Sequence, residues 1–156
     1  MVSLLQRIFV KAIGFVRHEL TEGEVRDRNC DSDVVIYKEY EAGLEGIEDF
    51  SHLTVIFWMD RIRRSERKLL KARPRGHQDM PILGIFATRS PHRPNPIGLT
   101  LVKLVERKGN VLRVNGLDAL NDTPILDLKP YDKWDSTEQM KVPRWWTMLE
   151  RERTSR

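Results

Sequence analysis

Short apolar runs separated by polar turns recur along most of the 156-residue chain. Residues 53–59 form an uninterrupted apolar run, which is typical of a buried strand, and residues 111–115 alternate apolar and polar positions. Lys108, Gly109 and Asn110 separate two such runs and predict a hairpin turn. Further stretches with strand character are residues 8–17, 34–37, 82–88, 97–106 and 125–129.

Seven or so short strands with few helices predict a mainly all-β fold, a small antiparallel β-barrel with short peripheral helices. Residues 18–33 are polar and predict a loop, and residues 40–50 predict turns. Residues 143–153 place Trp145, Trp146 and Leu149 on one side, which predicts a terminal helix. We expect a single domain over residues 1–156, with its core from about 10 to 135 and a helical tail from about 142 to 153.

No G-x-G-x-x-G motif follows a strand, which disfavours a Rossmann-type enzyme. No apolar run approaches the roughly 18 residues of a membrane span. The start, M-V-S-L-L-Q-R-I-F-V-K, is too short and too charged for a signal peptide, so we expect a cytoplasmic protein without membrane contact. The single Cys30 excludes an internal disulfide and a multi-cysteine zinc site, and we expect no metal.

The positive charge of the chain is concentrated in residues 61–75, which we call the basic segment. It holds eight Lys or Arg residues and one acid, Glu66, so it carries +7 while the rest of the chain carries −3. A patch of this density attracts polyanions and steers their approach, which predicts binding to nucleic acid. The alternative interpretation is a solvated basic face.

Residues 85–101 interrupt the strand pattern with a proline-rich loop, I-F-A-T-R-S-P-H-R-P-N-P-I-G-L-T-L. Each proline fixes φ and pushes the preceding residue toward an extended conformation, so the three prolines between 91 and 96 predict a stiff loop. Arg89, Arg93 and Asn95 lie on this loop and are candidates for binding an anionic group. The alternative interpretation is a surface turn between two strands that has no binding role.

The segment R-S-P-H-R-P-N-P-I-G-L resembles the signature of the TrmO family, the tRNA (adenine(37)-N6)-methyltransferases that are also described as TsaA-like or YaeB-like. Residues 117–131, L-D-A-L-N-D-T-P-I-L-D-L-K-P-Y, and residues 46–60, G-I-E-D-F-S-H-L-T-V-I-F-W-M-D, agree with the same family in order and spacing. The resemblance implies a small β-barrel that binds S-adenosylmethionine, forms homodimers and methylates N6 of N6-threonylcarbamoyladenosine at position 37 of tRNA.

The resemblance also implies which residues form the site. Asp127, Lys129 and Tyr131, from D-L-K-P-Y, are predicted to act as catalytic residues beside the target base, although Asp127 and Lys129 also fit a surface ion pair. The family often has His where this chain has Asp60. Together with the polar residues of the proline-rich loop, the predicted contacts to the cofactor are Val25, Arg26, Asp27, Asp60, Arg61, Arg89, Arg93, Asn95, Leu99, Asp118, Ala119, Leu120 and Asn121.

Methyl transfer from adenosylmethionine is an in-line displacement, so positioning of the two substrates does most of the work. The attacking nitrogen must also lose a proton, which a carboxylate or a histidine can accept. The sequence leaves this general base unassigned. It also leaves two rival functions open, a non-catalytic dimeric regulator that binds adenosylmethionine and an RNA-binding module.

Overall fold

The computed structural model describes the backbone of residues 8–154 and the side chains of residues 8–150. The chain forms two compact units. Among the described residues, the barrel unit comprises residues 8–60 and 97–131, and the basic unit comprises residues 61–96 and 132–154. Residues 1–7, which carry part of the sequence evidence against a signal peptide, lie outside the described residues.

The regular structure of residues 8–154 consists of short strands and two α-helices. The helices are α1, Glu22–Asp27, and α2, Arg144–Thr154. The strands are β1 Gly14–Arg17, β2 Asp31–Ile36, β3 His52–Trp58, β4 Lys71–Ala72, β5 Leu83–Gly84, β6 Ile97–Lys108, β7 Val111–Asn115 and β8 Pro124–Pro130.

Six strands of the barrel unit close into a barrel in the order β1-β2-β7-β6-β3-β8, with antiparallel pairing throughout. The mainly β fold and the antiparallel barrel are therefore confirmed, with six strands in the barrel instead of about seven. The strand predicted at residues 82–88 is not part of the barrel. Only Leu83 and Gly84 pair there, and a 3-10 turn over Ile85–Ala87 follows.

Alternation along the strands fills the barrel. On β3 the buried residues are Leu53, Val55 and Phe57, and the residues between them are partly exposed. Successive side chains of a strand point to opposite faces, so one face of each strand supplies the core. The core of the barrel unit consists of Val16, Val34, Ile36, Leu44, Leu53, Val55, Phe57, Val102, Leu112, Val114, Leu117, Ala119 and Ile125.

Two predictions near the start of the chain are wrong in extent. The strand expected over residues 8–17 begins only at Gly14, because Ile8, Phe9 and Val10 are exposed and make no strand pairing. The loop expected over residues 18–33 contains α1. Its first turn is stabilised by a capping box, in which the side chains of Thr21 and Glu24 each accept a hydrogen bond from the other residue's backbone N–H.

The basic unit contains the short antiparallel ribbon of β4 and β5 and the terminal helix. Lys71 pairs with Gly84 and Ala72 with Leu83. The predicted terminal helix is confirmed as α2, with Leu149 buried on one face. The described part of the chain has no helix with the length and apolarity that a bilayer crossing requires.

Gly98, in the N-P-I-G-L part of the proline-rich motif, marks a place where only glycine fits. A Cβ built there would lie 2.2 Å from Cε2 and Cζ of Phe57, whose ring is only 4% exposed. We expect Gly98→Ala to reduce the free energy of unfolding by about 1–3 kcal/mol, because the ring has no space to move into. Urea unfolding measures this loss.

Gly43→Ala is the matched control, since a Cβ at Gly43 would meet no atom within 4 Å. It should leave the free energy of unfolding unchanged or raise it slightly. Similar losses in the two variants would contradict the steric explanation for Gly98.

Candidate functional site

The predicted site residues divide between the two units. The basic unit holds Arg61, Arg89, Arg93 and Asn95. The barrel unit holds the remaining members of both predicted sets, which are Val25, Arg26, Asp27, Asp60, Leu99, Asp118, Ala119, Leu120, Asn121, Asp127, Lys129 and Tyr131.

The outer face of strands β6, β3 and β8 brings a predicted cofactor residue and a predicted catalytic residue into one row. Leu99 pairs with Ile56 on β3, and Ile56 pairs in turn with Asp127 on β8. Neighbouring strands lie about 4.8 Å apart, so Leu99 and Asp127 are separated by two strand spacings, about 10 Å. The next row, through Thr54, holds Lys129. This face therefore combines an exposed apolar side chain with a charged pair.

Asp127 and Lys129 form an ion pair on this face, with 2.8 Å between Asp127 Oδ2 and Lys129 Nζ. The hydrogen bond to the Asp127 carboxylate, followed by the negative charge of that group, raises the pKa of Lys129. Lys129 is therefore an ammonium group at neutral pH, which suits it to hold an anion and not to accept a proton. Asp127 Oδ1 also accepts a hydrogen bond from the backbone N–H of Leu128, at 2.9 Å.

A concavity of about 500 Å³ borders Asp127 on the barrel unit. Its wall includes the apolar or aromatic residues Tyr40, Leu44, Phe50 and Leu128 and the acidic residues Glu39, Glu45 and Asp127. Cavities of this size hold nucleoside-sized or somewhat larger ligands. The sequence pattern predicts only turns in this part of the chain and gives no sign of the concavity.

The segment from Leu117 to Asn121 is anchored in the barrel at alternate positions. Leu117 and Ala119 are 1% and 2% exposed, and Asp118 between them is exposed. Asp118 Oδ1 accepts a hydrogen bond from the hydroxyl of Thr100, a buried residue that faces inward from β6. One carboxylate oxygen is thus held in place, which fixes the direction in which Asp118 presents its other oxygen.

His18 also holds this segment, and the sequence pattern does not reveal that role. Its backbone N–H donates to Asn121 Oδ1 at 2.9 Å, and its Nε2 lies 3.0 Å from the carbonyl oxygen of Ala119. Its Nδ1 accepts a hydrogen bond from the backbone N–H of Leu20 at 3.1 Å, so the ring hydrogen is on Nε2. The only sequence signal is a histidine directly after a strand, which is not specific.

Arg28 joins the predicted cofactor segments of the barrel unit, and it too is absent from the predicted set. It ends α1 with φ 57°, and its guanidinium donates to the carbonyl oxygens of Gly116 at 3.0 Å and Leu101 at 3.2 Å. One residue therefore connects α1, strand β6 beyond Leu99 and the start of the Leu117–Asn121 segment. These three predicted contributors are brought together within the barrel unit.

Within α1, the three predicted residues differ in what they can offer a ligand. Val25 is 3% exposed, so its side chain packs in the protein and is not available to a ligand. Arg26 and Asp27 are exposed. Arg26 Nη2 lies 3.7 Å from Glu22 Oε2 with both side chains well exposed, a pair that contributes little to stability.

The proline-rich loop is held by Arg93, in addition to its prolines. The Arg93 guanidinium donates to the carbonyl oxygens of Thr88 at 2.6 Å, Ser90 at 2.9 Å and Ile85 at 3.5 Å. This side chain has a structural role that the sequence does not predict, and its contact to a cofactor stays a prediction. Arg89 lies on the loop that Arg93 holds, and it is exposed.

No group of three or more His, Cys, Asp or Glu side chains in the described range has the geometry of a metal site.

A closed antiparallel barrel with an anchored Asp118 segment defines the barrel unit as a small-barrel protein domain. The family model described as the tRNA-methyltransferase O N-terminal domain matches residues 21–136 of this chain. The chain belongs to this family, and the resemblance to TrmO in its motifs is confirmed.

Known relatives come from all three domains of life. The chain is 48% identical over 111 residues to a probable S-adenosyl-L-methionine-binding protein of Archaeoglobus fulgidus, covering 70% of this chain and 29% of the relative. It is 38% identical over 109 residues to the human tRNA (adenine(37)-N6)-methyltransferase, covering 69% of this chain and 24% of the enzyme.

The crystal structure of TrmO from Pseudomonas aeruginosa is similar, with a TM-score of 0.70 and 26% identity over 92% of this chain and 63% of that one. The chain thus spans less than two thirds of each of these three proteins.

The hydrogen bond from Thr100 to Asp118 gives a prediction. We expect Thr100→Val, which keeps the shape of the side chain, to lower the free energy of unfolding by about 1–2 kcal/mol, because the carboxylate loses its donor. Urea unfolding of Thr100→Val, Asp118→Ala and the double variant forms a mutant cycle. Fully additive losses in that cycle would show that the two side chains are not coupled.

Proposed function

We propose that this protein is an adenosylmethionine-dependent methyltransferase that acts on N6 of N6-threonylcarbamoyladenosine at position 37 of tRNA. The observation that supports this most is the convergence, in the barrel unit, of α1, strand β6 and the Leu117–Asn121 segment through Arg28 and His18. Membership of the family is established, whereas activity, substrate and partners are proposed, because the chain spans only part of its relatives.

The exposed groups of the barrel unit fit adenosylmethionine, which when bound supplies an electrophilic methyl group on a sulfonium. The Asp118 carboxylate, held at one oxygen by Thr100, suits the ammonium of the amino-acid end. Leu99, which is 48% exposed, offers apolar cover. We keep Arg26, Asp27, Ala119, Leu120 and Asn121 as further proposed contacts, together with the backbone of Val25.

Other predicted cofactor contacts lie on or beside the segment that links β3 to β6. Arg89 is proposed to bind the carboxylate of the amino-acid end, since a guanidinium forms strong charge-assisted hydrogen bonds with carboxylates. Asp60 and Arg61 remain proposed contacts from the end of β3. Asn95 and Arg93 belong to the same proposal, with Arg93 acting at least as the support of the loop.

The Asp127–Lys129 pair suits the side of the target base. In the proposed step N6 forms a bond to the methyl carbon while the bond from that carbon to sulfur breaks, and the N6 proton passes to Asp127 or to water. The Lys129 ammonium is proposed to hold the carboxylate of the threonyl group. Tyr131, whose backbone N–H donates to the carbonyl oxygen of His52 at 3.0 Å, completes the predicted catalytic set.

A non-catalytic regulator that binds adenosylmethionine is the second candidate. The same ion pair favours it, since Asp127 Oδ2 is already bonded to the Lys129 ammonium at 2.8 Å and would have to leave it to reach the N6 proton. The Archaeoglobus relative is named as a binding protein. The assay below separates this candidate from the enzyme.

The decisive experiment supplies adenosylmethionine and tRNA with or without the threonylcarbamoyl group. We expect methylation of the modified nucleoside, with discrimination of ~10²-fold or more against the unmodified transcript, because a site built to pair a carboxylate rejects a substrate lacking it. Mass spectrometry of the digested nucleosides measures both products. Tight cofactor binding without methylation of either RNA would favour the regulator, and equal methylation of both would remove the carboxylate argument.

Arg89→Ala should weaken adenosylmethionine binding by roughly 10- to 150-fold, the usual effect of losing a charged hydrogen-bond donor. Isothermal titration measures the affinity. Arg144→Ala, which removes an exposed arginine at the start of α2, serves as the control and should leave the affinity unchanged. Unchanged affinity in a folded Arg89→Ala protein would remove this residue from the site.

We also propose that the protein acts as a homodimer in the cytoplasm, where its tRNA substrate resides. The support is the outer row of β6, in which Ile97, Leu99 and Leu101 are 43%, 48% and 40% exposed. Light scattering should give about twice the chain mass of 18.3 kDa. Leu101→Glu should shift the mass toward that of one chain, since an unpaired charge in an apolar interface is costly. A wild-type mass of 18.3 kDa at micromolar concentration would contradict the proposal.

A further inference from the structure

We infer that Phe86 is a stacking platform for an unpaired nucleobase of RNA, and that the cations of the basic segment hold the phosphates on either side of that base. The inference rests on the proposed function and extends it, since it identifies the residues that would bind the RNA. It concerns the basic unit alone.

Phe86 combines strong exposure with an anchored backbone. It is 80% exposed, whereas its neighbour Ile85 is 1% exposed and Thr88 is 8% exposed. Buried side chains therefore fix the chain on both sides of a large aromatic ring that faces solvent. A ring placed in this way does not contribute to the core of the unit, so its exposure calls for another explanation.

Hydrogen bonds hold the turn that carries the ring. The backbone N–H and the hydroxyl of Thr88 both donate to the carbonyl oxygen of Ile85, at 3.1 and 2.9 Å. The Arg93 guanidinium binds the carbonyl oxygens of both residues at the same time. A ring on a backbone of this rigidity loses little conformational freedom when a base stacks on it, which favours binding.

The same turn is joined to the basic segment by strand pairing and by a backbone hydrogen bond. Strand β5, which precedes the turn, pairs with β4 of the basic segment, and the backbone N–H of Ile85 donates to the carbonyl oxygen of Leu70 at 2.9 Å. Lys68 and Lys71 flank this connection and are exposed. One exposed cation, Lys71, therefore lies on the strand that pairs with β5, and a second, Lys68, lies in the turn before that strand. Cations near an aromatic platform are the combination that single-stranded nucleic acids require.

The charge of the surroundings favours RNA over a protein or a bilayer. Leu69, Leu70 and Ile82, which directly precede β4 and β5, are also exposed, at 49%, 64% and 60%, so an apolar partner is the obvious competitor. Centres of protein interfaces are depleted in charged residues, however, whereas Leu69, Leu70 and strand β4 belong to the basic segment, which carries a charge of +7. A flexible polyanion with exposed bases satisfies both the cations and the ring.

Variants at one position separate stacking from apolar contact. Binding is measured by fluorescence anisotropy with two labelled probes, an RNA hairpin with an unpaired loop and a fully paired duplex of equal length. On the hairpin, Phe86→Ala and Phe86→Leu should each lose roughly 5- to 150-fold in affinity, and Phe86→Tyr should stay close to wild type. On the duplex, all variants should stay within about twofold of wild type.

Ile82→Ala is the matched control, since it removes an exposed apolar side chain without a ring directly before β5. It should change the affinity for the hairpin by less than about twofold. Wild-type affinity in Phe86→Leu, or an equal loss in Ile82→Ala, would overturn the stacking platform and indicate an apolar docking surface. An equal loss on the duplex would overturn it as well.

The hold on the phosphates has its own test. Replacing Arg63, Arg64 and Lys68 by Ser should reduce the log–log salt slope of binding by roughly 0.7–0.9 for each phosphate that is no longer neutralised. Arg67 is kept, because its guanidinium binds the carbonyl oxygen of Ile62 at 2.9 and 3.1 Å and supports the segment. An unchanged salt slope would show that the basic segment is a solvated face and does not bind the phosphates.

These measurements omit adenosylmethionine, so their result is independent of catalysis. If the wild-type protein binds the hairpin through Phe86 but methylates no tRNA, the inference about Phe86 stands and the proposed function is wrong. If Phe86→Leu methylates modified tRNA as well as the wild type does, the proposed function stands and the inference about Phe86 is wrong.

Discussion

Strand β8 closes the barrel, and the site depends on that closure. It pairs with β1 on one side and with β3 on the other. The register between β8 and β3 shifts between Ile56 and Phe57, and beyond this shift Asp127 lies opposite Ile56 on the outer face. The segment that precedes β8 carries Asp118 and is held by His18, which directly follows β1. The motif of residues 117–131 is therefore at once the closing element of the fold and the carrier of the proposed chemistry.

The strands were predictable because local alternation decides them, and the long-range contacts of the site were not. Residues 53–59 and 111–115 show their buried faces in sequence alone, and both are strands within a residue or so. The capping box of α1 is also visible as T-E-G-E, although the predicted loop over residues 18–33 leaves it out. His18 and Arg28 are different, since they bind segments about a hundred and 88 positions away. Nothing local to either residue indicates those partners.

The site positions themselves came from the motif, and the structure changes what several of them can do. Val25 is buried, so only its backbone remains as a proposed contact. Arg93 binds three carbonyl oxygens and supports the loop. Lys129 is an ammonium held by Asp127, which limits it to holding charge. Residue type alone gives none of these distinctions, because each depends on which partner the fold brings near.

The proline-rich loop has a consequence for the kind of anion recognition it can provide. Pro91, Pro94 and Pro96 have no backbone N–H, and the backbone N–H groups of Ser90, His92 and Arg93 bind oxygens within the loop, so few amide donors remain for an anion. An anion at this loop would therefore be recognised mainly by side chains, of which the Arg89 guanidinium is the one proposed above. Guanidinium groups keep their charge at every pH a cell reaches, so recognition here would persist from acidic to alkaline conditions.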